Sequence, residues 1–296
     1  MKRAYILIAF LLSACLQQIP ADWTPGPTLE IALPTFVTET PVVTATPIPP
    51  TLTPTMVYLP ASTLPDGPIS MIALGDSLTQ GDGDETGRGY PGRMLEMVNA
   101  VRPGSTITNF GQSGWSSDAL INGDQGYIGQ LQRAVDAVRS TNKQGRVSVV
   151  FVWIGSNDLW YLYEYGGDIN DEAETQDLQR FSANLDTILS ALRTEGAQVI
   201  IALLDDQSKR PVAIKGEAFT AITADELNRM SVQVQRYNET ITQKAEKYGA
   251  LTVDFYSTDI FINPATLYDD GNHPNQAGYD IIAQKWFEAL SSILEE

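Results

Sequence analysis

The sequence predicts a three-layer α/β protein, in which a parallel five-stranded sheet lies between two layers of helices. From Ile69 onward, apolar runs rich in β-branched residues alternate with amphipathic stretches, which is the pattern of strand-helix units around a parallel sheet. Two of these runs, 147–154 and 197–204, are apolar at nearly every position, as expected of strands covered on both faces. We therefore expect these two strands to be central.

The elements follow in a regular order. Strands are predicted over residues 69–74, 106–110, 147–154, 197–204 and 251–255. The clearest helix between them carries apolar residues on one face, namely Leu178, Phe181, Leu185, Ile188, Leu189 and Leu192, and Gly196 is expected to cap it. Further helices are predicted over 91–101, 128–140, 224–248 and 275–294. The loop 166–175 and the polar, mixed stretch 205–223 after the fourth strand are expected to shape a cleft.

The composition and charge of the chain limit the kinds of partner that it can bind. The chain has 296 residues, of which 43% are hydrophobic, enough for one full core and an additional tail. Its formal net charge is −17. Because binding of nucleic-acid phosphates requires a basic stripe, a nucleic-acid partner is not expected. We expect a monomer.

The first 15 residues look like an export signal. Lys2 and Arg3 precede an apolar run over 5–12, which is too short to span a bilayer as a helix. The run ends in Leu-Ser-Ala-Cys15, and this sequence resembles the lipobox of bacterial lipoproteins. Cys15 is the only cysteine. We predict that residues 1–15 form a lipoprotein signal peptide and that lipidated Cys15 anchors an exported protein to the membrane, facing the cell exterior or periplasm. An ordinary signal peptide with an incidental cysteine is the alternative.

A proline-rich spacer is predicted next. Twelve of the 17 prolines lie between Pro20 and Pro68, among many threonines. Such a segment favours extended polyproline II over helices and sheets. We therefore predict a disordered stalk over 16–68, open to O-glycosylation, and a globular domain over 69–296.

Polar turns containing glycine follow four of the five predicted strands. In open α/β sheets, ligands bind beyond the carboxyl ends of the strands. The turns are Gly75-Asp76-Ser77-Leu78, Gly111-Gln112-Ser113-Gly114, Gly155-Ser156-Asn157-Asp158 and Asp270-Gly271-Asn272-His273-Pro274. A serine, a histidine and a carboxylate should therefore meet at one edge, and these three groups are the minimum set for an activated nucleophile.

Ser77, His273 and Asp270 are the predicted catalytic residues. Ser77 opens a turn after a buried strand, which would expose its hydroxyl, although a loop or helix-capping role is the alternative. His273 is the only histidine of the chain, so no other imidazole can act as the base, unless it is only a surface-loop histidine. Asp270 lies three residues earlier and could orient the ring. Asp269 is a possible substitute, and Asp76 is interpreted as a structural residue.

Taken together, the four turns resemble the four conserved blocks of SGNH (GDSL) hydrolases over residues 69–294. GDSL alone is a weak motif, but GDSL, GxND and DxxHP in register with the strands are specific. The resemblance implies the flavodoxin-like SGNH fold, hydrolysis of carboxylic esters, and an oxyanion hole made of the Ser77 and Gly114 N–H groups and the Asn157 amide. Turn formation is the alternative role for Gly114 and Asn157. The GxSxG elbow of α/β-hydrolases is absent around Ser77.

The substrate class is less constrained. Trp115, Trp160 and Tyr161 lie beside the polar turns and are candidate substrate-binding residues, with ordinary packing as the alternative. We expect short-chain acyl esters, such as acetyl esters of carbohydrates. A lysophospholipase or thioesterase-like activity is the nearest alternative, and a non-catalytic surface binding module would require a broken triad. We expect no cofactor and no metal, since one histidine and scattered carboxylates provide no ligand cluster.

Overall fold

A single parallel sheet organises the described part of the chain, which in this computed structural model comprises residues 58–167, 169–216 and 219–294. Its strands are β1 (Ile69–Gly75), β2 (Thr106–Asn109), β3 (Val147–Trp153), β4 (Gln198–Leu203) and β5 (Leu251–Asp254). They lie in the order β2-β1-β3-β4-β5, and every neighbouring pair is parallel. The predicted α/β class is confirmed, and β3 and β4 both lie inside the sheet, as expected from their apolar sequences.

The helices connect successive strands. They are α1 (Ser77–Gln80), α2 (Gly89–Val101), α3 (Ser117–Asn122), α4 (Gln130–Lys143), α5 (Ser156–Tyr165), α6 (Asp171–Thr194), α7 (Pro211–Lys215), α8 (Ala224–Tyr248) and α9 (Gln276–Ser291). Short 3₁₀ turns cover Gln207–Lys209 and Pro264–Thr266. Among the residues that the structure describes, no helix is both long and apolar enough to cross a bilayer.

The helices form two layers. Helices α2 and α9 pack together, and α6 packs against both α4 and α8. Because β1 and β3 contact α4 while β5 contacts α9, the sheet is covered on both faces, which explains its apolar strands. An aromatic cluster fills the space near the end of β3, where the Trp153 ring stacks on Phe255 at 4.3 Å between centroids. This packing fixes the strand end from which the site is built.

Helix α6 starts earlier than predicted. The stretch 166–175 was expected to be a loop, but the helix begins at Asp171 and its N-cap is Asn170, whose side chain accepts the Ala173 N–H. The first turn carries three acidic residues, Asp171, Glu172 and Glu174. Their negative charges interact favourably with the positive end of the helix dipole and stabilise this helix start. The other end agrees with the prediction, since Gly196 follows the helix with a φ of +83°.

The domain begins before Ile69, so part of the predicted stalk was misassigned. Leu64 is buried, and its N–H donates to the Ile293 carbonyl at 2.6 Å. The Arg193 guanidinium donates to the Leu59 carbonyl at 2.7 Å. A proline-rich segment can dock in extended form when it carries an apolar anchor such as Leu64, and composition alone does not show this. The predicted signal peptide, Cys15 and residues 16–57 of the stalk lie outside the described residues.

Candidate active site

The Ser77 turn is built at the carboxyl end of β1. Gly75 ends the strand where no side chain fits, because a Cβ there would lie 2.2 Å from the Trp153 carbonyl oxygen. Asp76 caps α1, its Oδ1 accepting the Leu78 N–H at 3.0 Å, which agrees with the structural role expected for it. Ser77 is then the first residue of α1. The close packing of Gly75 fixes where the serine hydroxyl lies.

Asp76 is buried beside the reacting groups. Its side chain is 1% exposed, and its Oδ2 has no hydrogen-bond partner among the described residues. Burial raises the pKa of Asp76 to about 7. The hydrogen bond from the Leu78 N–H and the charges of Arg210 and His273 lower the pKa, but by less than burial raises it. Asp76 therefore titrates in the neutral range rather than acting as a permanent anion.

Ser77, His273 and Asp270 form one hydrogen-bonded chain. The Ser77 Oγ lies 2.9 Å from His273 Nε2, and His273 Nδ1 lies 2.7 Å from Asp270 Oδ2. The other carboxylate oxygen of Asp270 accepts the N–H groups of Asn272 and His273 at 2.8 and 2.9 Å. These bonds fix the carboxylate and direct one ring nitrogen toward Ser77. The structure thus brings the three predicted catalytic residues together.

The Asp270 carboxylate is strongly favoured as an anion. Partial burial would raise its pKa, but hydrogen bonds from the His273 ring and from the backbone N–H groups of His273 and Asn272 lower the pKa to about 2. An ionised Asp270 can orient the imidazole and stabilise an imidazolium. Asp269, the alternative orienter, makes no hydrogen bond to the ring within the described residues.

The loop that carries Gly114 packs directly on the Ser77 turn. The Gln112 N–H donates to the Gly75 carbonyl at 3.1 Å, and the Ser113 N–H donates to Gln80 Oε1 at 2.7 Å. Gly114 itself has a φ of +78°, a left-handed conformation that favours glycine. The turn role expected of Gly114 and its position beside Ser77 are therefore both present.

Helix α5 holds the same loop from the other side. Asn157 Nδ2 donates to the Trp115 carbonyl at 3.0 Å, and the Tyr161 hydroxyl donates to the Gly114 carbonyl at 2.6 Å. In the described part of the chain, the N–H groups of Ser77 and Gly114 have no protein acceptor. These N–H groups and the second N–H of Asn157 are the donors that the family resemblance implies for an oxyanion hole.

The three candidate aromatic residues have different surroundings. Trp160 is 2% exposed and stacks on Phe219 at 4.0 Å, so it belongs to the core and its predicted substrate contact is corrected. Trp115 is also buried, at 5% exposure, and its carbonyl accepts the Asn157 amide. Tyr161 is 39% exposed. Adjacent helical positions point in different directions, so Trp160 is buried while Tyr161 faces the cleft.

A buried arginine holds the loop that carries Asp270 and His273, and this arginine was not among the predicted site residues. Arg210 is 2% exposed and donates to both carboxylate oxygens of Asp205, at 2.8 and 2.6 Å. The Nη1 of Arg210 donates to Asn272 Oδ1 at 2.8 Å. The Val212 N–H also donates to the Gly271 carbonyl at 3.1 Å. The stretch after β4, which was predicted to shape the cleft, thus holds the loop of Asp270 and His273. The only sequence signal for a role of Arg210 at the site was its position after the end of a strand.

The fold and this hydrogen-bonded chain define a hydrolase of carboxylic esters. The profile of the GDSL-like Lipase/Acylhydrolase family matches residues 73–281, and the chain belongs to this family. It is similar to the uncharacterized protein YpmR of Bacillus subtilis (strain 168), with 24% identity over 75% of this chain and 81% of YpmR. It is also 24% identical to a multidomain esterase of Ruminococcus flavefaciens, over 77% of this chain but only 29% of that protein.

Solved structures share the fold. The psychrotrophic esterase EstA from Pseudoalteromonas sp. superposes with a TM-score of 0.51 at 17% identity, over 75% of this chain and 97% of EstA. Axe2, an acetylxylan esterase from Geobacillus stearothermophilus, gives a TM-score of 0.52 at 20% identity, over 76% of this chain and 95% of Axe2. A putative GDSL-like lipase from Parabacteroides merdae gives 0.55 at 17% identity, over 78% and 99% of the two chains.

Proposed function

We propose that this protein hydrolyses short-chain acyl esters of carbohydrates through a Ser-His-Asp mechanism. The observation that carries the proposal is the chain from Ser77 Oγ through the His273 ring to Asp270, with distances of 2.9 and 2.7 Å. These distances are within hydrogen-bond reach for a nucleophile, its base and the residue that orients the base.

In the first half of the reaction, Ser77 Oγ attacks the ester carbonyl carbon while its proton passes to His273 Nε2. The carbonyl oxygen becomes an oxyanion that accepts from the Ser77 and Gly114 N–H groups and the Asn157 amide. The intermediate then collapses, the bond to the alcohol oxygen breaks, and the imidazolium gives its proton to the departing alcohol. An acyl group remains on Ser77.

In the second half, water replaces the alcohol. His273 takes a proton from the water as its oxygen attacks the acyl carbon, and the same donors stabilise the second oxyanion. Collapse returns the proton to Ser77 and releases the carboxylic acid. Asp270, ionised because its pKa is about 2, holds the ring and stabilises the imidazolium in both halves.

The carbohydrate preference has two supports. The fold is shared with a protein described as an acetylxylan esterase, and a half-exposed Tyr161 ring lies directly beside Gly114. Aromatic rings at a site mouth suit stacking on a sugar. A lysophospholipase or thioesterase-like activity would instead require a preference for long acyl chains.

The test compares p-nitrophenyl esters of two to twelve acyl carbons, acetylated xylo-oligosaccharides and lysophospholipids. We expect the highest kcat/KM among the p-nitrophenyl esters for acetate, acetate release from the sugars, and no turnover by Ser77→Ala of any substrate. Highest activity on long acyl chains would favour the lipolytic alternative. Wild-type turnover by Ser77→Ala would refute the mechanism.

We further propose that the protein is exported and anchored through a lipid on Cys15, facing the cell exterior or periplasm as a monomer. The support is the Leu12-Ser13-Ala14-Cys15 sequence that ends the apolar run. An acylated cysteine would supply the apolar attachment. We expect wild-type protein in the membrane fraction and Cys15→Ala protein in the soluble fraction. Mass spectrometry that finds an unmodified Cys15 would contradict the proposal.

A further inference from the structure

A pocket of about 320 Å³ opens beside the candidate oxyanion donor Gly114. This volume is at the lower end of the range of about 300–1,000 Å³ typical of small-molecule sites. One wall is the Gly114 loop, another is one face of α3 with the turn that follows, and the third is the Tyr161 side chain of α5. A substrate whose carbonyl oxygen reaches Gly114 therefore has part of its structure within reach of this pocket.

The pocket walls are polar. Two of the lining side chains are aromatic, and the only aliphatic one is that of Ala119. The polar side chains are those of Ser113, Ser116, Asp118, Asn122, Asp124 and Gln125. Long acyl chains require apolar walls, because their affinity derives from burial of apolar surface. A ligand rich in hydroxyl groups matches this lining better, since its donors and acceptors find partners.

Three of these side chains, those of Asn122, Asp124 and Gln125, remain available to a ligand. Asp118 is paired with Arg180, whereas Asp124 uses one carboxylate oxygen to accept the Gln125 N–H at 2.8 Å. The amide of Asn122 bonds no other residue within the described part of the chain and is exposed. Asn122 offers both a donor and acceptors, and Asp124 offers acceptors, as recognition of a sugar hydroxyl requires.

Tyr161 connects the pocket to the reacting centre. Its ring lines the pocket, and its hydroxyl donates to the Gly114 carbonyl at 2.6 Å. The ring of Tyr165 lies 5.7 Å away, between ring centroids. A sugar ring lying against Tyr161 would place its C–H face on an aromatic surface while its ester carbonyl remains next to Gly114.

Charge restricts the class of ligand further. Asp118 is offset by Arg180, but Asp124 lines the pocket with no cationic partner among the described residues, and the chain as a whole carries a formal charge of −17. An anionic group brought into this pocket would meet like charges, which disfavours its binding. The lining therefore selects uncharged ligands over uronates, phosphates and sulfates.

We propose that this pocket is the subsite for the alcohol part of the ester, and that it takes a neutral sugar ring. The inference rests on the proposed carbohydrate-ester hydrolysis and assigns the sugar to particular residues. Asn122 and Asp124 bond its hydroxyls, and Tyr161 supplies the aromatic wall. The acyl group is then held on the other side of the Ser77 hydroxyl.

The experiment measures kcat/KM of the full chain for an acetylated xylo-oligosaccharide and for p-nitrophenyl acetate, and uses the ratio of the two values. Asn122→Ala and Asp124→Asn should each lower the ratio by about 3- to 10-fold, the range expected for one lost hydrogen bond. Asp136→Asn makes the same charge change on α4, away from the pocket, and should leave the ratio unchanged. A wild-type ratio in both pocket variants would overturn the subsite.

Two Tyr161 variants distinguish the role of the aromatic ring in the pocket from the role of the hydrogen bond that its hydroxyl donates to the Gly114 carbonyl. Tyr161→Phe keeps the ring and should lower kcat for both substrates without changing the ratio. Tyr161→Leu removes the ring and should lower the ratio as well. An identical ratio in the two variants would overturn the role of the ring. If the wild-type protein hydrolyses p-nitrophenyl acetate but no acetylated sugar, the proposed function fails, whereas sugar hydrolysis with unchanged ratios refutes the subsite alone.

Discussion

The role of Arg210 gives a prediction that separates stability from activity. Arg210 donates to both oxygens of Asp205 and to Asn272 Oδ1, and it is 2% exposed. Arg210→Met leaves the buried Asp205 carboxylate without its partner, which costs about 3–5 kcal/mol of unfolding free energy. For a domain of this size, we expect Tm to fall by about 10 °C.

Activity should fall for a different reason. The lost bond to Asn272 frees the loop that carries Asp270 and His273, and a misplacement of about 1 Å at a reacting group can lower the rate by about 10²-fold. We expect kcat to fall by about that factor while KM changes little, because the substrate contacts remain.

The double variant Arg210→Met/Asp205→Leu distinguishes the two effects. Replacing both members of a buried ion pair by apolar residues is often neutral for stability, so Tm should recover while kcat remains low. Circular dichroism melts and steady-state kinetics on p-nitrophenyl acetate measure both quantities. A double variant as active as the wild type, or a folded Arg210→Met with normal kcat, would refute the reasoning.

Further predictions concern the neighbouring groups. Asn157→Ala should lower kcat by about 10²-fold with little change in KM; a change in KM alone would make Asn157 a substrate-binding residue. Asp270→Asn should slow turnover across the whole pH range, since the pKa of Asp270 is about 2; a pH–rate profile in which only the acidic side changes would disagree. The pKa of Asp76 is about 7 in the fold, against an ordinary value of 3.8. Protonated Asp76 therefore stabilises the fold fully below about pH 4, and this stabilisation, at most roughly 4 kcal/mol, is lost as the pH rises to about 7. Urea unfolding should therefore show Asp76→Asn gaining stability relative to wild type over this range, and a constant difference would contradict the burial argument.

The strands were predictable because short runs rich in β-branched residues recur between the helical stretches, although only β3 and β4 are apolar at nearly every position. The predicted run 69–74 became β1 at Ile69–Gly75, and 251–255 became β5 at Leu251–Asp254. Helices α1, α3, α5 and α7 were not predicted. Helix α1 spans only Ser77–Gln80, and one helical turn is too short to show periodicity.

The candidate catalytic chain was predictable because parallel strands bring their carboxyl ends to one edge, and because His273 is the only histidine. The surrounding contacts were not. Arg210 and Asn272 are 62 positions apart, and nothing in either local sequence indicates the contact. Likewise, only the stacking of Trp160 on Phe219 shows that this ring belongs to the core rather than to the cleft.

The most direct test of the account is covalent labelling of the proposed nucleophile. An alkyl phosphonate ester that mimics an acyl group should react once per chain, and peptide mass spectrometry should locate the adduct on Ser77. His273→Ala should react far more slowly, because the serine loses its base, and Ser77→Ala should not react while remaining folded. An adduct on another residue, or rapid labelling and esterase activity in Ser77→Ala, would contradict the central claim.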